Sequence, residues 1–272
     1  MEEYIGMQIY QVDAFTDQIF KGNPAGVCIL PLNKIKDDVL LQNIAAEMNL
    51  SETAFLSKWD DEYQLRWFTP ETEVSFCGHA TLSAAHILWE TGLEKKVDVI
   101  QFNTLSGKLF ARYIRHKVEL DFPVFGVEEI PEQNNVNLAL GIKPIFTGTT
   151  RNIYLLEIES FQVLTNVQPD FTKLKKEGRT AFIITCKSDN PAYDFCSRYF
   201  APSVGINEDP VTGSSHSSLA PYWSKKLGKN KLVGYQASKR GGVLECELSP
   251  NGRVLIRGYA KTVFEINMKE DF

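Results

Sequence analysis

Polar segments that contain a glycine open two predicted helices, residues 76–81 in the first case and residues 209–214 in the second. A helix start presents N–H groups without intrahelical partners and the positive end of the helix dipole. Glycine lets a ligand approach the backbone closely, and Gly78 and Gly213 occupy matched positions in the two segments. Two such starts facing one cleft would make a binding site for a carboxylate.

Ordinary helix capping by Thr212 or Ser214 is the structural alternative for these segments. Capping explains a serine or a threonine at such a place, but it does not explain a glycine at the matched position of both segments. We therefore favour ligand binding. Cys77 and His79 also suggest a metal site, but the sequence lacks the further ligands at short spacing that zinc sites show, so we expect no metal.

These segments belong to a repeat that spans most of the chain. The matched blocks are residues 66–70 with 198–202, 53–56 with 180–183, 78–79 with 213–214, and Gln101 and Gly107 with Gln236 and Gly242. A chain of two similar halves is expected to fold as two similar domains, here residues 1–125 and 126–272. A cleft between such domains is a favoured place for a small-molecule site.

The elements that position these residues form the same arrangement in each half of the chain, with many strands around one buried helix. Residues 78–90 are apolar on most sides and predict a central helix, and residues 213–227 predict its counterpart, which ends at Gly228 and bends at Pro221. Strands run consecutively between the helices, which excludes alternating βαβ units. The polar, acidic stretch 126–137 is the best candidate for a linker.

Composition excludes several other classes of protein. A net charge of −5 and a pI near 5.5, without a local Lys/Arg cluster, argue against nucleic-acid binding. The sequence has no apolar run long enough to span a membrane and no basic–apolar secretory leader, so we expect a cytoplasmic protein. The five cysteines lack CxxC spacing and are expected to be reduced thiols. No phosphate-binding glycine motif is present, so no nucleotide cofactor is expected.

Four ordered motifs resemble those of the PhzF family of phenazine-biosynthesis-like proteins. They are residues 22–27 (Gly-Asn-Pro-Ala-Gly-Val), 51–55 (Ser-Glu-Thr-Ala-Phe), 76–81 (Phe-Cys-Gly-His-Ala-Thr) and 208–214 (Glu-Asp-Pro-Val-Thr-Gly-Ser). The resemblance implies an α+β chain with the diaminopimelate epimerase-like fold. That fold consists of two tandem similar domains, each a barrel-like, mostly antiparallel sheet around a central helix, with the active site in the interdomain cleft.

The resemblance also implies an activity, a proton shift without a cofactor. In the family's isomerase a single glutamate moves a proton between carbons of a cyclic amino acid, dihydro-hydroxyanthranilate, and Glu52 matches that glutamate. His79 and Asp209 match polar residues that orient the substrate. The remaining matched residues would bind the substrate and its carboxylate; they are Gly78, Gly213, Ser214, Cys77 and Thr212. The expected partner is a small carboxylate substrate, and a homodimer is the prior expectation for the oligomeric state.

Two alternatives to this isomerase stay open. Racemases and epimerases of this fold use two opposed cysteines at the central-helix starts, and Cys77 stands at the first such place. Thr212 stands at the second, and a threonine hydroxyl is no base near neutral pH, so one of the two bases is missing. The other alternative is a non-catalytic protein that binds small acids. His86, His116 and His216 are expected to be structural or exposed.

Overall fold

The computed structural model describes residues 7–97 and 99–269, so the expectation about a leader at residues 1–4 lies outside the described residues. The chain forms two compact units. The first holds the residues up to Asp121 and those from Arg257 onward, and the second is Phe122–Ile256. The halves expected from the repeat place residues 257–272 in the second domain. They differ from the observed units because the last strand pairs with the first strand of the chain.

The elements that begin in the first unit follow the expected order of strands and helices. They are β1 (Gln8–Ala14), β2 (Asn23–Ile29), α1 (Asp38–Met48), β3 (Glu52–Trp59), β4 (Glu62–Phe68), β5 (Glu73–Val74), α2 (Gly78–Glu90), β6 (Ile100–Thr104), β7 (Gly107–Ile114), β8 (Lys117–Pro123) and β18 (Ala260–Asn267). The bounds of α2 are those predicted. The motif over residues 22–27 lies largely in strand β2.

The second unit repeats this plan with additional short helices. Its elements are β9 (Glu128–Glu129), α3 (Asn134–Leu140), β10 (Phe146–Thr150), β11 (Ile153–Glu157), α4 (Phe161–Asn166), α5 (Phe171–Leu174), β12 (Ala181–Lys187), β13 (Phe195–Ala201), β14 (Ile206–Asp209), α6 (His216–Leu227), β15 (Lys231–Gln236), β16 (Gly242–Ser249) and β17 (Arg253–Gly258). The predicted linker over residues 126–137 is wrong, because β9 pairs with β10 and α3 starts within that stretch.

Strand pairing confirms the duplication. In the first unit β2 and β3 are parallel, β3 and β4 antiparallel, and β4 and β6 parallel. In the second unit β11 and β12 are parallel, β12 and β13 antiparallel, and β13 and β15 parallel. The sheets are therefore mostly antiparallel, but each has two parallel pairs whose connections contain a helix, as parallel strands require. The expectation that strands only run consecutively overlooked these crossovers.

The register of the ladders corrects two of the matched blocks. Thr53 pairs with Phe68, and Phe182 pairs with Phe200, so Phe182 and not Thr180 is the counterpart of Thr53. The preceding residue, Ala181, is then the counterpart of Glu52.

The other correction concerns the hairpin that follows each central helix. Thr104 pairs with Gly107, and Gln236 pairs with Gly242, so Thr104 and not Gln101 corresponds to Gln236. The second hairpin has a longer turn, and that extra length made Gln101 resemble Gln236 in the sequence.

Both central helices are deeply buried. Almost every residue of α2 is buried against β1, β2, β3 and β18, as its uniformly apolar sequence predicts. The predicted second helix begins as a 3-10 turn at Gly213–Ser215, continues as α6 and ends at Gly228 in the left-handed conformation. No helix among residues 7–97 and 99–269 is long and apolar enough to cross a membrane.

Pro221 lies inside α6, where it cannot donate to the carbonyl one turn earlier. That carbonyl belongs to Ser217, and it accepts a hydrogen bond from the backbone N–H of Phe125 at 2.9 Å. The proline therefore leaves no buried carbonyl unsatisfied at this point. It also connects α6 to the chain that follows β8, which stabilises this part of the second unit.

Candidate active site

Glu52 and His79 meet in the first unit. Glu52 is the first residue of β3, and His79 is the second residue of α2. The Oε2 atom of Glu52 lies 3.3 Å from Nε2 of His79, and the two side chains are only 14% and 6% exposed. This oxygen is buried and makes no hydrogen bond to any residue that the structure describes. It is therefore positioned next to an imidazole while still able to accept a proton.

Three further side chains surround the imidazole. Ser51 Oγ lies 3.3 Å from Nε2, and Asn23 Nδ2 lies 3.3 Å from Nδ1. Cys77 Sγ lies 3.4 Å from Nδ1. The sheet brings Asn23 close to Glu52, because Ala25 of β2 pairs with Glu52 in the parallel ladder. Two strand starts and one helix start thus converge on His79.

The same cluster contains the elements of a metal-binding group. One ligand atom each from Glu52, Cys77 and His79 lie within 4.8 Å of one another. Sequence spacing alone did not predict this, because Glu52 is distant in the chain from Cys77. A thiolate, an imidazole and a carboxylate suit zinc, but an ion there would occupy the oxygen that could otherwise take a substrate proton.

The second unit has a different polar cluster at the corresponding helix start. Asp209 is the last residue of β14, and its Oδ2 accepts a hydrogen bond from the hydroxyl of Thr212. Gln236 is fully buried at the end of β15. Its Nε2 donates to the Asp209 carbonyl at 2.8 Å, and its Oε1 accepts from the Thr212 N–H at 2.9 Å. The amide of Gln236 therefore fixes the loop that carries Asp209.

Neither helix start is capped by its own side chains. Cys77 precedes α2 and Thr212 precedes the 3-10 turn, and neither side chain makes a capping hydrogen bond. The carbonyls of both residues accept side-chain bonds from one turn later, Cys77 O from Thr81 Oγ1 at 2.6 Å and Thr212 O from His216 Nδ1 at 2.9 Å. This equivalence supports the predicted match between Cys77 and Thr212. It also shows that capping does not explain Thr212.

Two titratable groups near Asp209 have shifted pKa values. Burial raises the pKa of Tyr199, and the negative charge of Asp209, its partner in the β13–β14 ladder, adds to the shift. Burial lowers the pKa of His216 to about 4, and its hydrogen bond to the Thr212 carbonyl opposes that shift. These shifts favour a neutral hydroxyl for Tyr199 and a neutral ring for His216 near pH 7, and the structural role expected for His216 stays a prediction.

The predicted residues fall into two groups. The structure brings Glu52, Cys77 and His79 together in the first unit, with Gly78 between the last two. Asp209 and Thr212 meet in the second unit, and Gly213 and the exposed Ser214 follow in the 3-10 turn. The expectation of one cleft for all of them stays a prediction.

Sequence reasoning missed three residues that hold these groups in place: Asn23, Ser51 and Gln236. In the sequence, Asn23 and Ser51 are marked only by the motifs over residues 22–27 and 51–55, and Gln236 only by its place in a repeated block.

The chain has a mixed α+β fold of the epimerase-like type. A crystal structure of a hydroxyproline epimerase from Agrobacterium vitis has a TM-score of 0.63 at 12% identity, covering 98% of this chain and 93% of that one. At that identity the likeness concerns the fold alone.

A closer comparison gives the family. The family model described as phenazine biosynthesis-like protein matches residues 12–266, and the chain therefore belongs to the PhzC/PhzF family. A PhzF family protein of Enterococcus faecalis has a TM-score of 0.92 at 39% identity, covering 97% of this chain and all (100%) of that one.

Curated relatives agree with this assignment. A protein of Halalkalibacterium halodurans named an uncharacterized isomerase is 52% identical, with 94% of this chain and 96% of the relative covered. A human phenazine biosynthesis-like domain-containing protein is 39% identical over 95% of this chain and 98% of its own length.

Proposed function

We propose that this protein is an isomerase that moves a proton between two carbons of a small cyclic amino or hydroxy acid, with Glu52 as the only acid and base. The observation that carries the proposal is the Glu52 oxygen, which is buried beside His79 and makes no hydrogen bond among the described residues. A carboxylate in such a place can accept a proton from carbon and return it elsewhere. The names of the relatives as isomerases support the reaction class.

The proposed roles of the other residues follow from their chemistry. His79 polarises the substrate, because its ring lies beside Glu52 and among hydrogen-bonding side chains. Asp209 orients a polar group of the substrate, and the N–H groups at Gly78, Gly213 and Ser214 bind its carboxylate. None of these steps uses a cofactor. Burial of Glu52 also limits the loss of its proton to water.

The test is a screen of small cyclic and amino acids in deuterated water. On a ligand that binds, wild-type protein is expected to exchange a carbon-bound proton for deuterium, and Glu52→Gln is expected to reduce the rate about 10³-fold. Glu71→Gln, at an exposed glutamate, is the matched control and is expected to exchange at the wild-type rate. Binding without any exchange that depends on Glu52 would refute the isomerase and would favour the non-catalytic acid-binding protein.

One contact favours a second candidate, an amino-acid racemase. Cys77 Sγ lies 3.4 Å from His79 Nδ1, the kind of nucleophile–base contact that activates a thiol. Against it stands Thr212 at the equivalent position of the second unit, where the hydroxyl is already engaged with Asp209. Cys77→Ser is expected to stop a racemase and to spare most of a reaction driven by Glu52. Inversion of an optically active amino acid that stops in Cys77→Ser would establish the racemase instead.

A further inference from the structure

We propose that Asn23 is a positioning residue that holds the neutral form of the His79 ring in the tautomer with its proton on Nε2, and that this keeps Cys77 from acting as a base. Asn23 is fully buried at the start of β2. Its Nδ2 lies 3.3 Å from Nδ1 of His79. The catalytic consequence rests on the proposed function, whereas the tautomer is a property of the protein alone.

The argument begins at Nδ1. The amide nitrogen of an asparagine carries two hydrogens and only donates, so a ring nitrogen facing it must accept. A neutral imidazole has one N–H and one acceptor nitrogen. With Nδ1 accepting from Asn23, the proton of His79 is on Nε2. Histidine tautomers are set in this way by the partner of the opposite nitrogen.

The surroundings of Nε2 are compatible with the same tautomer. Ser51 Oγ lies 3.3 Å from Nε2 and can accept its proton. Glu52 Oε2 also lies 3.3 Å from Nε2, and its negative charge favours an N–H on that side of the ring. A donor thus faces Nδ1, and groups that can accept a proton face Nε2.

This tautomer affects proton transfer from the thiol of Cys77. Its sulfur lies 3.4 Å from Nδ1 and 4.0 Å from Nε2, so a proton leaving the thiol would go to Nδ1. That transfer would form a thiolate and a ring with N–H on both nitrogens. The new Nδ1–H would then point at the amide hydrogens of Asn23, which is unfavourable. Asn23 therefore opposes the thiolate–imidazolium pair that a cysteine racemase needs and leaves proton transfer to Glu52.

NMR spectroscopy can measure the tautomer of His79 directly. Protein labelled with ¹⁵N, without ligand, is examined by long-range ¹H–¹⁵N correlation at a pH where the rings are neutral. The chain has four histidines, and a His79→Gln spectrum identifies the signals of His79. The expected result is a ring protonated at Nε2. A wild-type ring protonated at Nδ1 would overturn the proposal, and this measurement needs no variant of Asn23 to fold.

Two variants test the cause. Asn23→Asp replaces the donor by a carboxylate that only accepts, and it is expected to move the proton to Nδ1 or to protonate both nitrogens. Asn23→Leu removes the donor, and the Nε2–H signature is expected to weaken into a mixture of tautomers. Asn166→Asp makes the same charge change at an exposed site on α4 and is expected to leave the His79 spectrum unchanged. An unchanged Nε2–H signature in folded Asn23→Asp would refute the role of Asn23.

These outcomes stay separate from those of the deuterium screen. If the protein fails to exchange deuterium but His79 is protonated at Nε2, the proposed reaction is refuted and the role of Asn23 is supported. If the protein exchanges deuterium through Glu52 but His79 is protonated at Nδ1, the reaction is supported and the role of Asn23 is refuted.

Discussion

The two units share one arginine-based frame and differ in the side chains mounted on it. In the first unit Arg66 forms a bidentate pair with Glu73, at 2.7 and 2.8 Å. In the second unit Arg198 forms the same pair with Glu208, at 2.7 and 3.0 Å. Each guanidinium also donates to backbone carbonyl groups, one for Arg66 and two for Arg198, and lies over the phenylalanine two residues on. The residues that recur most clearly in the sequence are thus those that build the unit.

The positions next to this frame do not match. Ladder register places Ala181 where the first unit has Glu52, and Asp209 where the first unit has Val74. At the helix starts Thr212 replaces Cys77. The first unit has a buried carboxylate oxygen of Glu52 beside the imidazole of His79, whereas in the second unit hydrogen bonds from Gln236 fix the loop of Asp209 and Thr212. The two units thus share a frame and differ in the polar groups next to it.

The largest effect on stability is expected from removing the shared frame. Arg66→Ala and Arg198→Ala would each leave a partly buried glutamate without its arginine partner, and would remove the donor to one backbone carbonyl and to two, respectively. We expect each to lower the free energy of unfolding by about 2–4 kcal/mol, since the pairs are partly buried. Chemical denaturation measures this, with Lys225→Ala at an exposed site as the control. A large loss for one arginine and none for the other would contradict a common frame.

Thr81 of the first unit and His216 of the second unit occupy equivalent positions, but only the histidine can titrate. We therefore expect this position to make the free energy of unfolding depend on pH in the second unit and not in the first. Burial lowers the pKa of His216 to about 4 from its usual 6.5, so between these values the unfolded chain binds a proton that the folded one does not. The free energy of unfolding therefore falls as the pH drops, by about 2 kcal/mol from pH 7 to pH 5.

The measurement is urea unfolding at both pH values for wild type and for His216→Asn, whose amide can still donate to the Thr212 carbonyl. The variant is expected to lose that part of the pH dependence. An equal pH dependence in the two proteins would show that His216 is not its source.

A smaller effect is expected at Thr212. Thr212→Val keeps the shape of the side chain but removes the hydroxyl that donates to Asp209. The expected loss is about 0.5–1.5 kcal/mol, the usual net contribution of a single hydrogen bond to stability. Thr212→Ser retains the hydroxyl and is expected to stay near wild type in the same denaturation assay. If valine and serine behave alike, the hydroxyl does not stabilise this loop.

No effect is expected from removing metal ions. The first unit has the Glu52, Cys77 and His79 donor group, and the proposed reaction uses it without an ion. Treatment with a chelator is therefore expected to leave the deuterium exchange rate unchanged. If the chelator abolished the exchange and added zinc restored it, this group would bind a catalytic metal. The proposal that Glu52 acts as a base without a metal would then be wrong.

The sequence predicts the correct family, the central helices and most strands, because local patterns of residues determine these features. The apolar stretch of α2 could only be buried, and the motif order carried the resemblance. The prediction failed where two segments resemble each other for separate reasons, as with Thr53 and Thr180, because a matched string of letters does not fix the register of a strand. Register depends on cross-strand hydrogen bonds and on turn length.

What the sequence alone determined is the duplicated plan, since recurring apolar periods, glycines and the Arg-aromatic-Phe echo specify local structure and burial. Only the tertiary structure decided which side chains meet. Asn23 begins β2, Ser51 and Glu52 lie at the start of β3, and His79 lies in α2. A parallel ladder and one buried helix bring a side-chain atom of each of the first three to 3.3 Å from a ring nitrogen of His79. The assignment of the last strand, β18, to the first unit was likewise decided by strand pairing. Such contacts join residues far apart in the chain, and no local pattern encodes them.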